Sequence, residues 1–210
     1  MPSIIEHGTD LTLAETAFLS AVRTGAVEKA IENGILDART VAGAGRSGSR
    51  RRLPFASVAY FSAIERAGLT NLETKLKHEL WRKLRNEVAH GLRPLPCIEF
   101  APATTIDLER LVSEPVEAAE RYVSARAAHI VIDPDIKGGM PVIRGTRMTA
   151  HSVLGRVDGG DTIEMILDEN PHVTREALEA AVIYAHTHPL RGRPRGRSRV
   201  QSAPKATAAA

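Results

Sequence analysis

A chain of 210 residues has room for two small domains with cores of their own. Aromatic residues make up only 4% of it, so those cores must be aliphatic, and the lone Cys97 excludes an intrachain disulfide framework and a cysteine metal cluster, as suits a reducing compartment. The net charge of +3 comes from two arginine-rich, acid-free segments, 38–53 and 191–210; outside both, 17 basic residues face 25 acidic ones, so an anionic partner must be met at one of those places or at a local patch.

In chain order, Thr12 with Glu15 three residues later has capping-box spacing and predicts a helix to about Ser20. A turn over 21–25 leads to a second helix, with Val27, Ala30 and Ile31 inward, which Asn33-Gly34 closes because both tolerate positive φ. The pair reads as a helix-turn-helix, and the Gly-, Ser- and Arg-rich stretch 41–52 as a flexible β-ribbon, or wing. Leu53-Pro54 opens a third helix over 55–67, with Val58, Tyr60, Phe61 and Ile64 available for packing. This layout resembles a winged helix of the MerR-like kind.

The longest helical pattern runs over 72–89, with Leu72, Leu76, Leu80, Leu84 and Val88 on one stripe and Trp81 beside it. Such a stripe packs onto the winged helix or onto the same helix of a second subunit. Pro94 and Pro96 end it, 97–101 reads as a strand, and 108–112 and 115–128 read as helical segments joining two domains.

From residue 129 the pattern changes. Ile130-Val-Ile132 is a short apolar strand stopped by Asp133-Pro134, Gly138-Gly139 marks a turn, and Pro141-Val-Ile-Arg144 reads as a second strand of a hairpin. Thr149 is placed to cap a helix over 150–158 that Gly159-Gly160 ends. Asp161, with Glu164 in capping-box spacing, is placed to cap a two-turn helix, and Thr174 a longer one through Thr187 that His188-Pro189 terminates. A short helix, a tight turn and a longer helix make a second helix-turn-helix, homeodomain-like in layout.

The run Gly138-Gly-Met-Pro-Val-Ile-Arg-Gly-Thr-Arg147, then Asp158-Gly-Gly-Asp161, then Asn170-Pro-His-Val-Thr-Arg-Glu-Ala-Leu through Pro189 resembles the small DUF 433 domain, regarded as the antitoxin part of bacterial toxin–antitoxin pairs. With its N-terminal extension the whole chain is similar to the larger mycobacterial VapB-type members of that family. The resemblance implies a cognate PIN-type ribonuclease toxin as partner, neutralised by stoichiometric blockade, and an operon repressed by its own product.

Candidate chemistry is sparse. No Gly-x-Ser-x-Gly, phosphate-binding loop or cysteine–histidine pair stands out, so no enzyme is expected and no cofactor is implied. His186 and His188 are two apart and do not share a helix face, so these, His151 and His172 read as surface or helix-end residues and no metal is expected. For DNA, Arg23, Thr24 and Lys29 lie near the start of the second helix, where side chains reach base edges in such motifs. Arg46, Arg50, Arg51 and Arg52 on the wing would follow the phosphates or enter the minor groove. The second helix-turn-helix is a poorer reader, because 129–190 holds five basic residues against nine acidic. That domain is expected to dimerise, with Val142, Ile143 and Arg144 as a strand edge for a second copy, and to hold the toxin. In the tail, Arg191, Arg193, Arg195 and Arg197 either pair with the acidic metal-binding cluster of the toxin, as the resemblance suggests, or lie in an A·T minor groove as an AT-hook does.

The expectation is a mainly α chain of two helix-turn-helix domains, N-terminal winged-helix-like and C-terminal homeodomain-like with a short β-hairpin. Its divisions would be 1–70, a helical linker or dimerisation region 71–128, a DUF 433 domain 129–190, and a basic tail 191–210. The expected protein is a cytoplasmic homodimer bound to toxin and operator DNA, since no signal-peptide pattern and no membrane-length apolar run is visible. The alternative is a stand-alone transcriptional regulator without a toxin.

Overall fold

The computed structural model describes residues 10–41, 50–89 and 94–190. The chain is largely α-helical, with small β-hairpin and sheet elements between the helices.

The first turn is set by the capping box. Thr12 ends a short strand β1 (Leu11–Thr12), and its hydroxyl accepts from the Glu15 amide at 3.1 Å while the Glu15 carboxylate accepts from the Thr12 amide at 2.7 Å. This starts α1 (Leu13–Leu19). Ala21, at φ 55°, turns the chain into α2 (Thr24–Glu32), which buries Val27 and Ala30 and gives way to Gly34 at φ 69°. The ribbon follows as β2 (Arg39–Val41) and β3 (Arg50–Leu53); its connecting residues 42–49 lie outside those described. The three strands are antiparallel in the order β1-β3-β2, and Leu11 pairs with Leu53 at the buried end. β1 was not expected from the sequence, because two residues carry no period.

α3 (Ala56–Arg66) is buried over most of its surface, including Val58, Tyr60, Phe61 and Ile64. It lies between α4 (Thr74–Ala89) and α5 (Leu108–His129) and packs on both. The leucine stripe of α4 finds its partner within the chain: Leu80, Trp81 and Leu84 are buried, and Leu72, Leu76 and Val88 are half-buried against the same core. A hairpin of β4 (Cys97–Ala101) and β5 (Thr104–Asp107) closes this part. β5 carries no local signal, because its turn rests on Ala103 at φ 56° rather than on a glycine.

The two helical segments expected over 108–128 are one helix of 22 residues with Pro115 inside it. Proline removes the amide that would bond the carbonyl four residues back, here that of Leu111. Arg66 of α3 takes that acceptor instead: its Nη1 donates to the Leu111 oxygen at 3.3 Å and its Nη2 pairs with Glu114 at 2.9 Å. The break is thereby bridged from outside, and the helix continues.

Beyond α5 comes the hairpin of β6 (Ile130–Ile132) and β7 (Pro141–Ile143), in the register Ile130↔Ile143. Gly138 and Gly139 at φ 65° and 79° make its turn possible. α6 (Ala150–Asp158), α7 (Ile163–Glu169) and α8 (Arg175–Thr187) complete the chain, with Thr149 and Thr174 capping α6 and α8 as their positions suggested. The cap of α7 differs from the expectation. Asp161 accepts from Arg156 Nε at 2.6 Å, so Thr162 takes the capping place and accepts from the Met165 amide at 3.2 Å.

One apolar cluster joins α1 to α5 and another fills the hairpin and α6–α8. A third spans them through Leu11, Val58, Ala119, Tyr122, Val123 and Ala180. α8 packs on α5 and α1 as well as on α6. α5 is therefore a wall shared by both parts. Among the described residues no helix is long and apolar enough to cross a membrane.

Candidate nucleic-acid interface

Exposed cations of the N-terminal part lie on α2 and the ribbon and also on α4, where Arg82 pairs with Glu79 and Arg85 with Asp37. Arg23 is the extended residue before α2; its side chain does not cap the helix and is exposed, as are Thr24 and Lys29. The first-turn amides of α2 thus receive no side-chain cap from Arg23, at the helix end that favours negative charge. Glu28 and Glu32 share the outer surface of α2, so its own charge is not positive, and the ribbon supplies the balance.

Strand alternation separates the ribbon arginines. Arg51, opposite Thr40, is exposed. Arg52, opposite Arg39, turns inward: it is 26% exposed and its Nη1 lies 3.7 Å from Glu15. A phosphate contact by Arg52 would have to compete with that carboxylate. Arg39 pairs with Asp10 at 3.6 Å yet stays 60% exposed. Arg50 pairs through its backbone with Val41. Arg46, the side chain of Arg50 and the tail arginines Arg191, Arg193, Arg195 and Arg197 lie outside the described residues.

Beneath the ribbon sits a buried ionic cluster that the sequence did not announce. Glu15 is 0% exposed. Besides the Thr12 amide, its carboxylate accepts from Tyr122 Oη at 2.6 Å and from Arg126 Nη1 at 2.5 Å, and Arg126 Nη2 reaches the Asp10 carbonyl at 3.2 Å. Burial pushes the Glu15 carboxyl up, but the Arg126 charge and the hydrogen bonds from Thr12, Tyr122 and Arg126 together hold it below the usual carboxylate range. Burial, reinforced by the neighbouring carboxylate, pushes the Tyr122 phenol well above its ordinary value. Glu15 was legible only as half of a capping box. Tyr122 and Arg126 carry no local signal, because their partner is more than a hundred residues away.

The C-terminal helices offer less to an anion. Arg175 is tied to Glu164 at 2.8 Å, and Arg156 to Asp161 and to Glu169 at 2.6 and 2.7 Å. α8 is buried against its neighbours along most of its length, and its exposed positions include Glu176 and Glu179. The histidines serve packing: His186 stacks on Phe18 at 5.6 Å, His188 on Tyr184 at 4.1 Å, and His151 Nε2 lies 2.7 Å from the His188 carbonyl oxygen. Burial lowers the His188 imidazole, against the opposing pull of Glu15 and the Tyr184 carbonyl. No group of three or more His, Cys, Asp or Glu placed to hold a metal occurs among the described residues.

The strand assigned to self-pairing is occupied. Val142 and Ile143 are buried. β7 pairs with β6 on one side; on the other, the Ile143 amide donates to the Met148 carbonyl at 2.9 Å and Val142 bridges Thr149. Arg144 closes the end of α5, donating from its amide to His129 at 2.7 Å and from Nε to Ala128 at 2.7 Å. A second copy pairing along β7 would displace these bonds.

Residues 130–185 match the family model described as "Protein of unknown function (DUF433)", so a small, mostly helical domain of that type is present. "Uncharacterized protein y4eO" of Sinorhizobium fredii (strain NBRC 101917 / NGR234) is 38% identical over 91 residues, which are 43% of this chain and 41% of that protein. The chain thus matches about two fifths of that relative's length. The crystal structure of Rv2018 from Mycobacterium tuberculosis aligns with 82% of this chain and 96% of its own at 20% identity, with a TM-score of 0.34, a likeness too loose to carry an argument.

Proposed function

We propose that the chain is an antitoxin-type regulator: its N-terminal helix-turn-helix and ribbon bind operator DNA, and its DUF433 part with the basic tail binds and blocks a partner ribonuclease. The observation that carries the DNA half is the placement of Arg23, Thr24, Lys29 and Arg51 at the exposed edge of α1–turn–α2 and the β2–β3 ribbon. A winged helix offers a duplex this arrangement, with one helix for the groove and a cationic hairpin for the flanking phosphates. The packing of α8 against four other helices favours the N-terminal pair over the C-terminal one as the reader. One such module contacts too little DNA alone, so two copies act on two half-sites.

The ribonuclease half rests on the DUF433 match and on the tail sequence. An extended run of arginines suits a nuclease pocket whose carboxylates otherwise hold a divalent metal. Such a protein works in the cytoplasm and needs no cofactor or catalysis of its own.

Co-expression with the product of the neighbouring gene tests this directly. Growth rescue with copurification is expected. Changing Arg191, Arg193 and Arg195 together to Ala should weaken neutralisation far more than operator binding; loss of operator binding alone would move the tail to the minor groove. A chain that binds the DNA upstream of its own gene but rescues no neighbour is the stand-alone regulator.

A further inference from the structure

Three side chains stand in a row across the N-terminal sheet. Its strands run in the order β1-β3-β2, and Thr12, Arg52 and Arg39 are directly paired across it. Opposed residues of an antiparallel pair project to the same face, with their Cβ atoms about 5 Å apart. Arg39 and Arg52 therefore lie side by side on one face of the ribbon, while Thr40 and Arg51 take the other. Like charges directly opposite one another destabilise an antiparallel pair.

The acids nearby offset this only in part. Asp10 lies 3.6 Å from Arg39 and Glu15 3.7 Å from Arg52, both beyond ordinary hydrogen-bond length. The Glu15 carboxylate is committed elsewhere: one oxygen accepts from Tyr122 and Arg126, the other from the Thr12 amide. Arg126 alone gives it a full counter-charge. Asp10 and Glu15 thus face the three cations Arg39, Arg52 and Arg126, and the surplus sits at the arginine pair on the sheet. Among the described residues neither Arg39 nor Arg52 donates a hydrogen bond from its guanidinium. Arg39 is 60% exposed and Arg52 26%, so both reach solvent.

We propose that Arg39 and Arg52 form a clamp for a phosphate group, which the backbone of bound DNA supplies as a phosphodiester. Phosphate oxygens accept from planar guanidinium forks, and the phosphate charge removes the repulsion between the two arginines. Glu15 holds Arg52 near the sheet without using its donors, so the fork is in place for the anion. The identity of the ligand rests on reading the ribbon as a nucleic-acid contact; the geometry of the clamp does not. Arg39 joins that contact, and the ribbon then carries cations on both faces, as a hairpin between two phosphate backbones needs.

Duplex titration of the full-length chain over a range of salt concentrations, with the DNA upstream of the gene as ligand, tests the clamp. Arg39→Ala should lower the slope of log affinity against log salt by about 1, the loss of one phosphate contact. Arg39→Lys should keep the slope and recover only part of the affinity, because lysine supplies the charge without the fork. Asp10→Asn frees Arg39 and keeps the backbone carbonyl that Arg126 holds. It should raise affinity about two- to five-fold, the worth of an exposed ion pair, and the gain should vanish when Arg39 is also changed to Ala. Arg82→Ala, an exposed arginine tied to Glu79 on α4, should leave affinity and slope at their wild-type values. An unchanged slope in Arg39→Ala, or an Asp10→Asn gain that survives without Arg39, overturns the clamp. A wild-type chain that ignores duplex defeats the nucleic-acid reading, and titration with inorganic phosphate at low ionic strength then decides the clamp. The Nε–H resonances of Arg39 and Arg52 should shift together while that of Arg82 stays in place; a pair that shifts no more than Arg82 overturns it.

Discussion

α2 and α8 each follow a shorter helix across a turn, and they sit in opposite situations. α2 buries Val27 and Ala30 on one side and leaves Thr24, Glu28 and Lys29 to solvent beside the arginine ribbon. α8 buries Ala177, Leu178, Ala180, Ala181 and Ala185 against α5, α6 and α1, and its exposed residues include Glu176 and Glu179. A run of alanine lets a helix be approached closely from several directions, which is how α8 becomes a shared strut. The difference teaches that a helix–turn–helix pattern fixes a local shape, whereas tertiary packing decides whether its second helix is free to enter a groove.

The largest effect that would sharpen this contrast is at the joint between the two regions. Glu15→Ala leaves Arg126 and Arg52 without their counter-charge in a buried setting and also removes half of a capping box. Urea unfolding should show a loss of about 3–5 kcal/mol, the usual cost of breaking a buried ion pair from one side. A loss below about 1 kcal/mol would mean that the cluster is solvated and that the two regions are held by apolar contacts alone.

Acid should act on the same joint. His188 has a folded-state pKa below its ordinary 6.5, so the unfolded chain binds the proton more readily and stability falls as pH drops through and below that value. Glu15 has a folded-state pKa below its ordinary 4.5; its contribution is complete above that value and is lost as pH falls through the folded one. Thermal melts between pH 8 and pH 3 should therefore show a decline beginning near neutrality and steepening in the acid range; a flat profile down to pH 4 would contradict the arrangement around Glu15 and His188.

A smaller effect tests the bridge in α5. Arg66→Ala frees the Leu111 carbonyl that Pro115 cannot satisfy, and should cost about 1 kcal/mol, the net worth of one hydrogen bond. Adding Pro115→Ala, which restores the amide, should recover most of it. If the two changes are simply additive, Arg66 is not compensating for the proline.

Much of the local structure was legible in the sequence because caps and periods are local. Thr12, Thr149 and Thr174 mark helix starts where they fall, and the α4 stripe and the 130–143 hairpin follow from spacing. The misreadings share a cause. Asp161 was passed over as a cap because Arg156 competes for it, and Pro115 failed to break α5 because a distant arginine repairs the damage. The site divides in the same way. Arg23, Thr24 and Lys29 lie exposed on and beside α2, where the pattern put them, while Arg52 turns inward to the carboxylate of Glu15, 37 residues earlier in the chain. Val142 and Ile143 read as a free edge because nothing in their own sequence announces the return of Met148 and Thr149 alongside them.

The most direct test of the contrast between α2 and α8 is a duplex titration over a range of salt concentrations, with the DNA upstream of the gene as ligand. Three proteins suffice: the wild-type chain, Arg23→Ala/Lys29→Ala/Arg51→Ala, and Arg175→Ala as the α8 counterpart. The account predicts salt-dependent binding by the wild type, a slope of log affinity against log salt reduced by about 2–3 in the triple variant, and little change in Arg175→Ala. Wild-type binding that is lost with Arg175 and retained in the triple variant would reverse the assignment, and no salt-dependent binding at all would end it.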